Sequence, residues 1–163
     1  ALVNRGWRLL SDELTLIRLD TGQIMGLARP VNLKNASIDV IRAYAPEAFL
    51  TRPVHDTTKG TVALMAPTEA SVLAVGKWAR PTWMILPRYR PGADARLEPM
   101  GSGAAFLQIA DNAMNYHILG GHGFAAVGRM VDHCRSFNFE YSRLDEAIAI
   151  FDRLAREAEG EAP

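Results

Sequence analysis

The chain has 163 residues, of which 48% are hydrophobic and 22% are charged, the composition of a folded globular protein with a substantial core. Its 18 Lys and Arg residues balance its 18 Asp and Glu residues, so the net charge is zero and the overall basic footprint of a nucleic-acid binder is missing. One cysteine, Cys134, cannot make an internal disulfide, and no apolar run is long enough to span a membrane. We therefore expect a cytoplasmic protein that has no membrane span and binds no nucleic acid.

The first half of the chain reads mainly as short strands separated by turn residues. Apolar runs predict strands at residues 7–11, 14–19, 23–27 and 61–65. Asp20-Thr21-Gly22 is a turn signal, so the second and third of these strands should form a hairpin. Two helices are expected, one capped by Ser37 and ended before Pro46, and one over residues 69–78.

The second half contains more helix than strand. Strands are predicted at residues 83–86 and 95–98, and a further short strand should hold Phe139 and Tyr141. Apolar residues at helical spacing predict one helix over residues 102–118, ended by Gly120-Gly121, and a second over residues 124–137.

The last helix has the clearest signal. It should begin at Ser142, which together with Asp145 resembles a capping box. Its apolar stripe consists of Leu144, Ala147, Ile148, Phe151, Leu154 and Ala155. Strands with few helices, followed by helices with few strands, predict a single α/β domain with a mixed sheet over residues 1–157. Residues 158–163 should be a polar C-terminal tail.

Asp12 and Glu13 are the most informative polar pair. They directly follow a predicted buried strand, and acids at the end of a strand are well placed to hold Mg²⁺ or to take a proton from a hydroxyl. The same pair also fits a solvated turn between two strands, and position alone favours this plainer interpretation.

Several short motifs resemble HPr serine kinases and follow one another in that family's order. Residues 1–13, ALVNRGWRLLSDE, are similar to the family's helix end, Arg-Gly step and strand that terminates in an acidic pair. Arg90-Pro91-Gly92 is similar to the family's Arg-Pro-Gly, and Ala113-Met114-Asn115-Tyr116 followed by Gly120 is similar to its late helix. The chain most resembles the subgroup called HPr kinase-related kinase A, and more distantly it resembles phosphoenolpyruvate carboxykinases.

The resemblance implies a P-loop kinase domain of the α/β class, with a mixed sheet flanked by helices and with ATP and Mg²⁺ as cofactors. Asp12 would be the catalytic base that accepts the proton of the substrate hydroxyl, and Glu13 would contribute to the metal site. By analogy with HPr, the phosphate acceptor would be a hydroxyl on a small partner protein. The oligomeric state stays open, and a homo-oligomer is one alternative.

Four cations are candidates for binding nucleotide or substrate phosphate: Lys34, Lys59, Arg88 and Arg90. Taken singly, each is more simply a solvated side chain on a loop. Arg90 ranks higher than the others because it matches the Arg-Pro-Gly motif.

The chain departs from the family pattern in two ways. It has no G-x-x-x-x-G-K-[ST] loop, which the family carries just upstream of the helix that ends at Gly6. We therefore expect the natural protein to be longer, and the present fragment to bind ATP weakly and to be inactive as a kinase. Asn32 stands where the family has a Glu that helps to hold Mg²⁺, and Lys34 stands where the family has an Arg. These two replacements put metal binding and reverse phosphorylase chemistry in doubt.

A rival interpretation is a non-catalytic binding or scaffold module that keeps the kinase fold. The missing loop and Asn32 favour this interpretation, whereas the Asp12-Glu13 pair favours a kinase. A small-molecule kinase of the same fold is a third alternative, which the sequence does not separate from a protein kinase.

Overall fold

A computed structural model describes residues 1–160, without the side chain of Glu159, as a mixed α/β fold with three small sheets and six α-helices. These residues form two compact units. The first contains residues 1–17 and 23–79, and the second contains residues 18–22 and the chain from Arg80 onward. None of the helices in the described part of the chain is both long and apolar enough to cross a lipid bilayer.

The first unit opens with a 3-10 turn, Leu2–Arg5, which Gly6 closes at a φ of 89°. Its other elements are β1 (Leu16–Ile17), β2 (Ile24–Met25), β3 (Val31–Lys34), α1 (Ala36–Tyr44), β4 (Val54–Thr57), β5 (Gly60–Met65) and α2 (Glu69–Leu73). Strands β1 and β2 pair antiparallel, and a second antiparallel sheet has the order β3–β5–β4. The glycine-closed first turn, the hairpin and the strand that ends at Met65 are thereby confirmed.

The core of the first unit lies on one face of the β3–β5–β4 sheet. Side chains alternate between the faces of a strand, so Ala63 and Met65 of β5 point to the same side. They are buried together with Val3, Leu33, Ile38 and Ile41, which come from the 3-10 turn, β3 and α1. The opposite face carries the intervening residues of β3 and β5 and is not covered by this core.

Three predictions for the first unit are wrong in detail. Residues 7–11 are half-buried but do not form a strand: the N–H of Leu9 donates to Ser71 Oγ at 2.9 Å, and the Leu10 carbonyl accepts from the N–H of Leu27. Asn35, not Ser37, is the N-cap of α1, and Ser37 lies inside the first turn. Helix α2 ends at Leu73 because the following backbone makes tight bonds of the 3-10 type, such as Lys77 N–H to the Ala74 carbonyl at 3.0 Å.

The second unit consists of β6 (Trp83–Tyr89), β7 (Arg96–Pro99), α3 (Ser102–Asn112), α4 (Tyr116–Leu119), α5 (Gly121–His133), β8 (Arg135–Tyr141) and α6 (Leu144–Gly160). Its sheet has the order β6–β8–β7, with β8 parallel to β6 and antiparallel to β7. A mixed sheet is therefore present as predicted, but the strands of the chain form three sheets instead of one.

Aromatic packing joins β8 to α6. Phe139 of β8 is 2% exposed and meets Phe151 of α6 edge-on, with ring centroids 5.4 Å apart. Ala147, Ile148 and Leu154 of the same helix are also buried, which confirms the apolar stripe. A separate cluster of Ala105, Val127 and Val131 packs α3 against α5.

Several helix boundaries in the second unit differ from prediction, since α5 begins at Gly121 and α6 at Leu144. The helix expected over residues 102–118 breaks after Asn112, whose side chain donates to the Gln108 carbonyl at 2.8 Å, and Ala113 is extended. Helix α5 stops at His133 because Phe137 and Phe139 alternate with polar residues at the two-residue period of a strand. One domain over residues 1–157 stays a prediction; α6 reaches Gly160, and residues 161–163 of the predicted tail lie outside the described residues.

Candidate functional site

The acidic pair lies at the tip of a tight turn in the first unit. Ser11 Oγ accepts a hydrogen bond from the N–H of Leu14 at 3.1 Å, which closes the turn around Asp12 and Glu13. Both carboxylate residues are exposed, so a second molecule can reach them. The turn follows directly on the segment that Ser71 anchors, and its base is therefore fixed to the unit.

Asp12 reaches from this turn to the edge of the β3–β5–β4 sheet. Its Oδ2 accepts a hydrogen bond from the backbone N–H of Asn32 at 2.9 Å. Two residues further along β3, the N–H of Lys34 donates to Ser37 Oγ at 2.8 Å, and the same hydroxyl donates to the Lys34 carbonyl at 2.7 Å. The outer edge of β3 has backbone groups that would otherwise bond to a further strand. The side chains of Asp12 and Ser37 satisfy these groups instead.

The structure brings together Asp12 and Asn32, which lie twenty positions apart in the sequence. Asn32 Oδ1 is buried and has no hydrogen-bond partner among the described residues. Carboxylate and amide oxygens are the ligand type that Mg²⁺ prefers, so Asp12, Glu13 and Asn32 match that ion in chemistry. Within residues 1–160, no group of three or more His, Cys, Asp or Glu side chains is arranged to hold a metal ion.

Burial lowers the pKa of the Ala1 amino group, and the negative charge of Asp12 offsets part of this effect.

The predicted phosphate-binding cations are distributed over both units. Lys34 is exposed on β3, two residues from Asn32 and on the same face of that strand. Arg88 and Arg90 belong to the second unit, where the guanidinium of Arg90 lies 3.6 Å from the carboxylate of Glu140. In the β6–β8 register, Arg88 is also aligned with Glu140. In this structure, therefore, an acidic residue partly offsets the charge of the two arginines.

An open cavity of about 580 Å³ lies on the β3–β5–β4 sheet. It is lined by Asn32, Thr51, Arg52, Val54, Thr57, Thr58, Lys59, Val62, Ala63 and Leu64. Asn32 belongs both to this lining and to the contact with Asp12. The sequence singled out only Asn32 and Lys59 of this set, because the lining forms only when residues 51–57 fold back along β5.

A smaller cavity of about 320 Å³ adjoins the acidic turn. Ser11 and Leu14, which close that turn, are part of its lining. The rest of the lining is mainly apolar and includes Trp7, Leu9 and Met25.

No protein-family model, no curated protein and no solved structure matches this chain.

Proposed function

We propose that this chain is the part of an ATP-dependent phosphotransferase of the HPr kinase type that supplies the acidic pair, with a hydroxyl on a small partner protein as the acceptor. The observation that carries the proposal is the 2.9 Å contact between Asp12 and the backbone of Asn32. It joins the two segments that resemble the family's acidic pair and the family's metal-binding signature.

Asp12 is the residue to which we assign proton transfer. Its Oδ2 is held by the N–H of Asn32, which orients the carboxylate, and its Oδ1 is left to accept the proton of an acceptor hydroxyl. The side chain is exposed, as it must be if the hydroxyl belongs to another protein. Phosphoryl transfer requires mainly positioning and electrostatic stabilisation from the protein, and an oriented carboxylate such as Asp12 would position the acceptor hydroxyl.

Glu13 and Asn32 are the residues that would complete a Mg²⁺ site with Asp12. When bound, Mg²⁺ neutralises charge on phosphate oxygens, and it commonly needs only one or two carboxylates from the protein. Lys34, on the same face of β3 as Asn32, would bind phosphate as a point charge.

Residues 1–163 contain no phosphate-binding loop, so on their own they do not provide a site for the phosphates of ATP. An upstream sequence that lacks G-x-x-x-x-G-K-[ST] in the parent open reading frame would remove the kinase proposal.

The test compares Asp12→Asn with Asp12→Ala in the protein made from the complete open reading frame. Asn can still accept the N–H of Asn32 but is a far weaker base, so Asp12→Asn should keep the fold and lower kcat for ADP formation with the acceptor protein by about 10²–10⁴-fold. Glu13→Gln should mainly raise the Mg²⁺ concentration that activity requires. Normal turnover in Asp12→Asn would overturn the assignment.

A non-catalytic binding module is the second candidate, and the use of the Asp12 carboxylate as a cap on the β3 edge favours it. In that case Asp12→Asn should resemble the wild type, only Asp12→Ala should lose stability, and no variant should show Mg²⁺-dependent turnover. The kinase and the non-catalytic module therefore make different predictions for Asp12→Asn, a substitution that hardly changes the shape of the side chain.

A further inference from the structure

The floor of the larger cavity is apolar. Val54 of β4 pairs with Val62 of β5, and Leu64 follows two residues later on the same face of β5. Val54 is 60% exposed and Leu64 is 39% exposed. Three neighbouring apolar side chains are thus left in contact with water on one face of the sheet, and covering them would be favourable.

The rim of the cavity is cationic. Arg52 and Lys59 are both exposed, and neither takes part in an ion pair among residues 1–160. The lining contains no carboxylate. Because the lining holds two cations and no opposite charge, it favours an anionic ligand over a cationic one.

The turn that carries Lys59 is fixed by its own hydrogen bonds. Thr57 Oγ1 donates to the Gly60 carbonyl at 2.6 Å and accepts from the N–H of Lys59 at 3.1 Å. Thr58 and Thr51 add hydroxyl groups to the same lining. The cation therefore extends from an ordered backbone, which lowers the entropy cost of holding an anion.

We propose that this cavity binds a small organic anion, whose charged head meets Arg52 and Lys59 and whose apolar body covers Val54, Val62 and Leu64. An inorganic anion would leave the floor in water, and a neutral apolar molecule would leave both cations unpaired. The volume of about 580 Å³ lies within the range of small-molecule sites. The inference concerns binding alone and does not rest on the proposed kinase activity.

Asn32 is a further polar residue of the lining. Its Oδ1 is buried and lacks a partner among the described residues, which is costly for an amide oxygen.

The experiment uses four probes and amide NMR spectra of the chain: phenyl phosphate, phenylacetate, benzyl alcohol and inorganic phosphate. Phenyl phosphate or phenylacetate should shift the amides of Thr51, Thr58 and Leu64 with a Kd of about 1 mM. The tighter of the two identifies the head group. Benzyl alcohol and inorganic phosphate should each bind about tenfold more weakly, and raising the salt from about 50 to 300 mM should weaken anion binding several-fold.

Matched variants test the two parts of the site. Arg52→Gln and Lys59→Gln should each weaken binding about fivefold, the effect of one exposed charge contact, and Val54→Thr should weaken it by about threefold. Lys77→Gln and Val40→Thr, exposed changes outside the lining, should leave the Kd unchanged. Equal affinity for benzyl alcohol, an unchanged Kd in the Arg52→Gln, Lys59→Gln double variant, or shifts confined to amides outside the lining would overturn the inference.

Discussion

In the first unit the central strand β5 buries one face in the core, and its other face lines an open cavity. Its neighbour β3 is an edge strand, and the side chain of Asp12 bonds to its free backbone edge where a further strand would otherwise pair. In the second unit the central strand β8, which like β5 is bonded on both edges, carries Phe139, and this side chain is almost fully buried against α6. Both non-glycine residues with positive φ in the described chain, Asn35 and Asp56, belong to the first unit. The sheet of the second unit is therefore the better packed of the two, whereas the sheet of the first unit carries the open face, the capped edge and the positive φ values. Local departures of this kind are typical of functional sites.

The largest expected effect is on the packed sheet. Phe139→Ala should lower the free energy of unfolding by about 3–5 kcal/mol, because it leaves a cavity between β8 and α6. Leu64→Ala, on the open face of β5, should cost only about 1 kcal/mol. Urea denaturation of the two variants measures the difference directly, and similar losses would show that the two central strands are equally important for stability.

A smaller effect is expected at the edge of β3. Ser37→Ala removes a hydroxyl that both accepts from and donates to Lys34, so it should cost about 1–2 kcal/mol and speed hydrogen exchange at the Lys34 amide. Ser37→Thr keeps the hydroxyl and serves as the control. Unchanged exchange in Ser37→Ala would mean that solvent satisfies this edge equally well.

The smallest expected effect has the opposite sign. Asn32→Val removes an amide oxygen that is buried without a partner and places a strand-forming residue on β3, so stability should rise by about 0.5–1 kcal/mol. Affinity for phenyl phosphate should not improve in parallel, because stabilising a functional position commonly costs function. A loss of stability on urea denaturation would show that the Asn32 amide is satisfied in solution.

Periodicity in the sequence was sufficient to predict the hairpin, β5, β6, β7 and the apolar stripe of α6. It was insufficient for β3 and β4, because Val31–Lys34 is only four residues long and Val54–Thr57 is mostly polar and exposed. Strands of this kind form through their pairing with β5 and have little local signal of their own.

The candidate site, like the fold, was predictable only in part from the sequence. The motif resemblance singled out Asp12 and Asn32, and the hydrogen bond between them makes them neighbours. The role of Asp12 as an edge cap was not predictable, since it depends on which backbone N–H of β3 lacks a strand partner. The cavity was not predictable either. Its cations Arg52 and Lys59 come next to apolar residues of β5 only because the chain reverses at Gly60.

Asn35 and Gly60 fit each other closely. Asn35 Oδ1 accepts the N–H of Thr61 at 3.1 Å, and a Cβ added to Gly60, whose φ is 81°, would overlap this same oxygen. Homologues that replace Gly60 should therefore also lack Asn35, whereas homologues that replace Asn35 can keep the glycine.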